Sequence, residues 1–423
     1  MIPRGRERPA IIGDGLTARL RRAYACLWEW RPRRDGQLQT AGHRPEGGAP
    51  TQGDNRCVTP TASISCELTQ RIQHAITQAG GWIGFDRFMA MTLYEPGLGY
   101  YTNRLQKFGA MPASGSDFVT APGLTPLFGQ TLAVQVQQAL QATGTAEVWE
   151  FGAGTGALAL QLLDNLGEAV ERYTIIDLSG TLRERQAQTL QAHAHKVRWL
   201  DAWPDAMDGV VVGNEVLDAM PVQLLQRTGG VWHERGVVVQ GDAFAWQDRI
   251  TDLRPPLEVD GEHDYLTEIH PQAEAFIASL AERLLAGQGG AAFFLDYGFP
   301  ESEYFHPQRH MGTVMCHQLH QADPDPLVAV GQKDITAHVN FTGVALAGQN
   351  AGLQVLGYTS QARFLLNLGL AERMAASTLA ERSQAQRLLA EHEMGELFKV
   401  VGFASTDDWQ AQGFVAGDRS HRL

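Results

Sequence analysis

A glycine-rich run preceded by an acidic residue is the stretch of this sequence with the most specific chemistry. Glu150 stands two residues before Gly152, and Gly154 and Gly156 follow at alternate positions. A short buried strand is predicted before the run and a leucine-rich helix after it. Glycines allow a tight turn and let a ligand lie against the backbone, and the first N–H groups of a helix face that ligand. The pattern predicts a site for a nucleotide-like ligand.

The glycine run leaves two alternatives open. Gly152, Gly154 and Ala157 also match the G-x-G-x-x-G/A pattern of dinucleotide-binding proteins. A glycine-rich turn in an α/β domain without any ligand has the same local pattern. A second polar group at the right distance along the chain therefore decides whether a ligand is expected.

Acidic residues end the next two predicted strands. Asp177 lies about 25 residues past Gly152, where a carboxylate can accept hydrogen bonds from both ribose hydroxyl groups. Asp201 ends the following strand and can accept a hydrogen bond from an adenine amino group. Each has a structural alternative, because Asp177 can cap the following helix and Asp201 can cap the turn at 203–204.

Asn214, Glu215 and Asp218 follow the fourth predicted strand and are the candidate catalytic residues. Two carboxylates three residues apart can hold a cation in a fixed pose. A guanidinium is a poor nucleophile while it is protonated, so a nearby carboxylate both orients it and takes its proton. The structural alternative is a helix N-cap with a buried, hydrogen-bonded asparagine.

The elements that must position these groups alternate between strand and helix. This alternation predicts an α/β fold with a mostly parallel sheet and helices on both faces. The predicted strands of the sheet are 148–152, 173–178, 197–200, 209–212 and 291–297. Ligands of such sheets bind outside the carboxyl ends of the strands, which is where the acidic residues fall.

Four segments are predicted along the chain. Residues 1–62 form an Arg-, Gly- and Pro-rich extension that is expected to be disordered. Residues 63–145 form a helical N-terminal region with a lid loop. Residues 146–300 form the ligand-binding core with an antiparallel β insertion at 222–250, and residues 301–423 complete the core with extra helices.

Composition and charge exclude several classes of protein. A formal net charge of −13 and a pI near 5.5 argue against a nucleic-acid-binding surface. No apolar run approaches the length of a membrane span, so membrane insertion is not expected. The four cysteines form no C-x-x-C pair and the histidines at 306–320 have no metal-site spacing, so no metal is expected. Cysteine usage and the absence of a secretory signal predict a cytoplasmic location.

The glycine run and several other strings together carry a family resemblance. The pattern acidic-x-G-x-G-x-G is similar to the first motif of class I S-adenosylmethionine (SAM) methyltransferases. The further strings, in chain order, are YEP at 94–96, GYY at 99–101, DFVTAP at 117–122, NEVLDAMP at 214–221, LDYG at 295–298 and DITAHV at 334–339. With these strings the chain resembles the MidA family of class I SAM-dependent methyltransferases over about residues 65–415.

The resemblance implies a Rossmann-like class I methyltransferase fold with SAM as the cofactor. It implies SAM contacts from Gly152, Gly154, Asp177 and the loop around Asp117. Mitochondrial members of the family are complex I assembly factors that methylate an arginine of a complex I subunit, which implies a protein substrate with an accessible arginine. The sequence departs from the family at Asp177, where Glu is more common, and at Asn340, where Asp is common.

The expected activity is transfer of a methyl group from SAM to a protein arginine. Glu150 and Asp177 are expected to anchor the cofactor, and Glu215 and Asp218, with Asn214, to hold the acceptor. Two other functions stay open at this point. One is a nucleotide (NAD)-dependent oxidoreductase, and the other is an assembly factor that binds SAM only for stability and acts as a scaffold.

Overall fold

The computed structural model of the protein describes residues 60–103, 120–177, 179–318, 321–406 and 409–423. The predicted extension lies outside the described residues up to position 59. Residues 104–119 of the predicted lid loop, with Asp117, also lie outside them. The predictions for these segments therefore stay predictions. No helix in the described ranges has the length and hydropathy needed to cross a membrane.

The helices of the described residues begin and end where the local sequence favours it. Gly144, with φ at 65°, closes the helix that ends at Thr143, and Pro271 stands in the first turn of its helix. Thr378 and Glu381 form a capping box at the start of another helix. In chain order the helices are α1 (Pro60–Gln78), α2 (Phe85–Tyr94), α3 (Ala121–Leu124), α4 (Leu127–Thr143), α5 (Ala157–Leu166), α6 (Gly180–Thr189), α7 (Pro271–Ala286), α8 (Glu301–Tyr304), α9 (Phe341–Asn350), α10 (Gln361–Asn367), α11 (Leu370–Ala376) and α12 (Leu379–Leu389).

The strands fall into a large central sheet and two smaller sheets. In chain order they are β1 (Ile83–Gly84), β2 (Glu147–Phe151), β3 (Arg172–Ile176), β4 (Val197–Leu200), β5 (Gly209–Asn214), β6 (Gln223–Thr228), β7 (Val231–Gln240), β8 (Ala243–Ile250), β9 (Tyr265–Ile269), β10 (Gly290–Phe299), β11 (Met315–Gln318), β12 (Gln321–Asp323), β13 (Asp334–Thr336), β14 (Val339–Asn340), β15 (Gln354–Ser360) and β16 (Phe398–Ala404).

The central sheet has the strand order β15-β16-β10-β5-β2-β3-β4. Strands β10, β5, β2, β3 and β4 pair in parallel, and β16 and β15 add an antiparallel edge. The predicted α/β class is therefore confirmed. The chain moves outward from β2 to β4 and then returns to β5 on the other side of β2. This reversal places the topological switch point between β2 and β5, where open sheets bind their ligands.

Alternating residues of the central strands pack on opposite faces of the sheet. On β5, Val210 and Val212 join the buried cluster that contains α4 and α5, whereas Val211 joins the cluster that contains α7 and α9. This alternation follows the two-residue period of a strand. Both faces of the sheet are covered by helices, so the polar groups of the strands reach solvent or a ligand only at the strand ends.

The predicted antiparallel insertion is part of a larger second sheet. Strands β6, β7 and β8 span 223–250. The order of the sheet is β1-β7-β6-β9, and β8 also pairs with β7. Strand β1 comes from the N-terminal region and pairs with β7 through Ile83 and Val237. Helices α1 and α2 pack on this sheet through one buried cluster, which includes Leu68, Phe88 and Leu224. The N-terminal region and the insertion thus form one layer.

Candidate active site

A cavity of about 790 Å³ opens at the carboxyl ends of β2, β3 and β5. The structure brings most of the predicted site residues to its wall. Those that line it are Glu150, Gly152, Gly154, Asp177, Asn214, Glu215 and Asp218. The described part of the N-terminal region supplies another wall through Tyr94, Tyr101 and the segment 120–123. The cavity therefore lies at the switch point of the sheet, between the core and the layer that covers it.

The glycine run turns the chain from β2 into α5. Gly152, Gly154 and Gly156 have φ angles of 64°, 52° and 82°, which residues other than glycine rarely adopt. A Cβ atom on Gly152 would lie 3.3 Å from the side chain of Val216. A Cβ atom on Gly156 would lie 3.4 Å from the backbone of Gln186, so Gly156 permits close packing of α6. Gly152 and Gly154 line the cavity, whereas Gly156 lies behind them.

Glu150 and Asp177 are buried carboxyl groups at the ends of neighbouring strands. Glu150 accepts a hydrogen bond of 2.6 Å from the hydroxyl of Tyr173. Burial raises the pKa of Glu150 to about 8. Asp177 accepts hydrogen bonds from the backbone N–H of Ser179 at 2.9 Å and from the amide of Gln186 at 2.8 Å, and burial also raises its pKa.

Gln186 connects the glycine run with Asp177 and was not among the predicted site residues. Its side chain is fully buried. Its amide N–H group donates to Asp177 and to the carbonyl oxygen of Gly154 at 3.1 Å, and its amide oxygen accepts from Trp199 at 2.9 Å. A glutamine in a polar helical stretch gives no signal in the sequence, because these partners come from three other elements.

Asp201 and Asp117 are not brought together with the other predicted residues. The side chain of Asp201 is 86% exposed, forms an ion pair with Arg183 and does not line the cavity. The adenine contact predicted for Asp201 has no support in this position and stays a prediction. Asp117 lies outside the described residues. No cluster of three or more metal-ligating side chains occurs in the part of the chain that the structure describes.

The turn after β5 is held by a buried carboxylate that the sequence did not point out as a site residue. One oxygen of Asp296 accepts backbone N–H bonds from Val216, Leu217 and Asp218 at 3.1, 2.9 and 3.3 Å. Within this turn Glu215 has a φ of 56°, which is unfavourable for a residue with a side chain. Asp296 lies in the LDYG string, which was the only signal for it.

Two buried acceptor atoms of the turn have no hydrogen-bond partner among the described residues. They are the amide oxygen of Asn214 and one carboxylate oxygen of Asp218. The amide N–H group of Asn214 donates to Glu215 at 2.9 Å, and the other oxygen of Asp218 accepts from the hydroxyl of Tyr297 at 2.6 Å. A buried acceptor without a donor costs free energy, so these atoms favour a ligand that carries donors.

The carboxyl groups of this turn are shifted toward the protonated form. Burial, followed by the charge of Asp218, raises the pKa of Glu215 to about 8. Burial raises the pKa of Asp218 to about 6, and the hydrogen bond from Tyr297 opposes this shift. Groups that titrate near neutral pH beside one another are frequent in sites that move protons.

Aromatic side chains form a further part of the cavity wall. The rings of Tyr94 and Tyr101 stack with centroids 5.6 Å apart. Their hydroxyl groups donate to the carbonyl oxygen of Ala219 at 2.9 Å and to the carboxylate of Asp334 at 2.8 Å. The ring of His338 also lines the cavity, and burial lowers the pKa of His338 to about 4. The YEP, GYY and DITAHV strings contain or adjoin these residues.

Solved structures with a similar fold come from Burkholderia thailandensis. One, which was solved with bound S-adenosyl-homocysteine, has a TM-score of 0.81 and 46% identity, and the match covers 89% of this chain and 100% of that chain. A native structure from the same organism has a TM-score of 0.78 and 45% identity, with the same coverage of both chains.

Curated relatives share less sequence but nearly the same length. The mouse protein arginine methyltransferase NDUFAF7, mitochondrial, is 26% identical, with 90% of this chain and 88% of that protein covered. The human protein of the same name is 27% identical, with 77% and 80% covered. These relatives are mitochondrial by name, so the predicted cytoplasmic location is contradicted and is wrong by this comparison.

A family model described as an S-adenosyl-L-methionine-dependent methyltransferase matches residues 131–359, which is more than half of the chain. The matched segment contains the glycine run, the turn after β5 and the LDYG string. The match confirms the predicted cofactor and the predicted class of reaction, and it does not support the oxidoreductase alternative. The chain therefore belongs to this family of S-adenosyl-L-methionine-dependent methyltransferases.

Proposed function

We propose that this enzyme transfers the methyl group of SAM to a guanidinium nitrogen of an arginine in a protein substrate. The observation that carries the proposal is the pair of unpartnered acceptor atoms on Asn214 and Asp218 at the cavity wall. A guanidinium is a planar cation with five N–H donors and no acceptor, so it matches such acceptors and the adjacent carboxylates. The names of the mouse and human relatives support the same substrate class.

We assign the cofactor to the half of the cavity that Gly152, Gly154 and Asp177 line. The two glycines give a backbone without Cβ atoms on this wall, and the carboxylate of Asp177 can accept hydrogen bonds from hydroxyl groups. Glu150 lies at the end of the neighbouring strand and can accept a hydrogen bond from a bound ammonium or hydroxyl group. When bound there, the cofactor would supply an electrophilic methyl group, and with its S–CH₃ bond broken it would leave as the neutral thioether S-adenosylhomocysteine.

We assign the acceptor to the half of the cavity at the turn after β5. Glu215 and Asp218 hold the guanidinium by charge-assisted hydrogen bonds, and Asn214 both orients Glu215 and accepts a further N–H bond. As the nitrogen lone pair forms the new N–C bond, that nitrogen must give up a proton. Glu215 takes it in its ionised form, which the bound cation favours, and the raised pKa of about 8 makes this carboxylate a stronger base than an exposed one.

Tyr94 and Tyr101 have a positioning and covering role in this proposal. Their hydroxyl groups are fixed by Ala219 and Asp334, so the rings stay stacked across the acceptor half of the cavity. A dry wall strengthens the attraction between the carboxylates and the cation. Positioning of this kind contributes most in methyl transfer, because the nucleophile must be aligned with the bond that breaks.

Incubation of the purified protein with tritiated SAM and a cell extract tests the proposal. We expect label in protein, and mass spectrometry after complete hydrolysis should identify methylarginine. Glu215→Gln should lower the rate by at least about 100-fold, because it removes the proton acceptor. Glu168→Gln, an exposed change elsewhere on the surface, is the matched control and should keep the rate.

Two results would contradict this proposal. Label on lysine, on a carboxyl group or on a small molecule would exclude arginine as the acceptor. Absence of label in every protein, together with a Glu215→Ala strain that keeps full cellular function, would favour the scaffold alternative.

A further inference from the structure

Arg309 places a positive charge at the exposed rim of the cavity. Its side chain is exposed and lines the cavity together with Gly312 and Thr313. The guanidinium stacks on the ring of Phe299, with Cζ 3.7 Å from the ring centroid. Within the described ranges of the chain, no carboxylate lies within ion-pair distance of it. Stacking fixes the plane of the guanidinium and leaves its N–H edge available for a ligand.

Arg309 belongs to the acceptor half of the cavity. The Phe299 ring beneath it lies 5.1 Å from the ring of His338, and His338 lies 5.3 Å from the ring of Tyr297. The hydroxyl of Tyr297 binds Asp218, which is the proposed anchor of the target arginine. A row of three aromatic rings therefore connects Arg309 with the acceptor carboxylate, and Asp177 lies on the other half.

A fixed cation at this place opposes the binding of a cationic acceptor. The like charges repel each other unless a negative group arrives with the acceptor and pairs with Arg309. A carboxylate is the group that matches the N–H edge of a stacked guanidinium. It can come from an acidic side chain of the substrate or from the amino-acid part of the cofactor.

We infer that Arg309 binds an acidic side chain of the substrate protein that lies close in sequence to the target arginine. The inference rests on the proposed arginine methylation. An extended chain advances about 3.3–3.6 Å per residue, so the path of 3.7, 5.1 and 5.3 Å from Arg309 through the rings to Tyr297 corresponds to an offset of at most about four residues. Arg309 is thus a specificity-determining residue that selects arginines with acidic neighbours.

Synthetic peptides with one central arginine test the inference. Each peptide carries Asp, Asn or Lys at one position within four residues on either side, and transfer of tritium from SAM gives kcat/KM. We expect the best Asp peptide to exceed its Asn counterpart by about fivefold, as for one exposed ion pair. Arg309→Ala should reduce this ratio to about one, and Arg309→Glu should make the Lys peptide the preferred substrate.

Arg249→Ala is the matched control. Arg249 also stacks on an aromatic ring, with Cζ 4.6 Å from the centroid of Trp82, but it does not line the cavity. This variant should keep the fivefold preference.

Calorimetry with S-adenosylhomocysteine separates the two sources of carboxylate, the substrate side chain and the amino-acid part of the cofactor. A loss of affinity above fivefold in Arg309→Ala would assign the carboxylate to the cofactor and overturn the inference.

The remaining outcomes are also decisive. Equal rates for Asp and Asn peptides at every offset would overturn the inference and leave arginine methylation intact. Absence of transfer to every arginine peptide, with S-adenosylhomocysteine still bound, would count against the proposed function and this inference together.

Discussion

Tyr297 donates its hydroxyl to one oxygen of Asp218 over 2.6 Å, while the other oxygen of Asp218 has no hydrogen-bond partner among the described residues. One half of the carboxylate is therefore fixed and the other half is available to a ligand. The backbone of Tyr297 also donates to Asp296 at 2.9 Å, and Asp296 holds the turn that carries Asp218. The LDYG string and the turn after β5 thus act as one unit.

Tyr297→Phe should weaken catalysis by changing the ionisation of Asp218. The hydroxyl stabilises the ionised carboxylate, so its loss moves the pKa of Asp218 upward from about 6. The steeper part of the acidic limb of the pH profile of kcat/KM, where Asp218 is protonated in addition to Glu215, should then begin at higher pH, and kcat/KM at pH 7 should fall roughly tenfold. Transfer of tritium from SAM between pH 5 and 9 measures both effects.

The matched control is Tyr265→Phe. The hydroxyl of Tyr265 donates to the carbonyl oxygen of His306 at 3.2 Å and does not line the cavity. This variant should keep the profile of the wild type. A Tyr297→Phe enzyme with an unmoved acidic limb would show that Asp218 does not set that limb.

The positive φ angle of Glu215 should destabilise the folded protein, and a glycine at this position should remove that strain. Its φ of 56° is unfavourable for any residue with a Cβ atom. Glu215→Gly should therefore be about 1 kcal/mol more stable than Glu215→Ala in urea unfolding. Both variants should lose methyl transfer, because both remove the carboxylate.

Ala329→Gly provides the control for this comparison. Ala329 is the other described residue besides glycine with a positive φ, at 53°, and it does not line the cavity. Glycine should stabilise this position as well, with full activity. Equal stability of the two Glu215 variants would mean that the turn relaxes without cost.

Residues that act through their neighbours in the sequence could be predicted, whereas residues that act across the fold could not. The glycine run and the acidic strand ends follow from strand and helix periods, so Glu150 and Asp177 could be expected on one wall. Asp296 is 80 positions from Val216, and Gln186 is 32 positions from Gly154. No local pattern encodes such contacts.

The layer that covers the site shows the same limit. Helical spacing predicted the N-terminal helices and alternation predicted the insertion, but their pairing through β1 and β7 depends on two residues only. A pair of residues is too short for a periodic signal. Asp201 shows that a correct local pattern can also mislead. It follows a strand, as the sequence predicts for a ligand-binding acid, but its exposed carboxylate pairs with Arg183 instead of lining the cavity.

Glu150→Gln should make stability less dependent on pH. A carboxyl group whose pKa rises on folding stabilises the fold at low pH, and this contribution is lost as pH rises toward its folded pKa of about 8. The free energy of unfolding of the wild type should therefore fall between pH 6 and pH 9. The variant should lose about 2 kcal/mol less over this range, because the amide does not titrate.

Urea unfolding without cofactor at both pH values measures the difference. Glu171→Gln, at an exposed position, is the control and should follow the wild type. Parallel pH dependence in the wild type and in Glu150→Gln would show that Glu150 is ionised in the folded protein at neutral pH.

The buried side chain of Gln186 should strengthen cofactor binding through its hydrogen bond to Asp177. Gln186→Ala leaves Asp177 without one donor and Trp199 without its acceptor, so the carboxylate loses its fixed orientation. Affinity for S-adenosylhomocysteine should fall roughly tenfold in calorimetry, which corresponds to one such hydrogen bond. Gln186→Glu should fall further, because it places a second carboxylate beside Asp177.

Gln188→Ala, exposed on the same helix, controls for a general effect on α6 and should keep the affinity. Urea unfolding of each variant separates positioning from folding. If Gln186→Ala loses stability but binds S-adenosylhomocysteine as tightly as the wild type, Gln186 acts in the core alone. If the affinity falls while kcat at saturating SAM is kept, Gln186 positions the carboxylate of Asp177 for the cofactor and has no part in the chemical step.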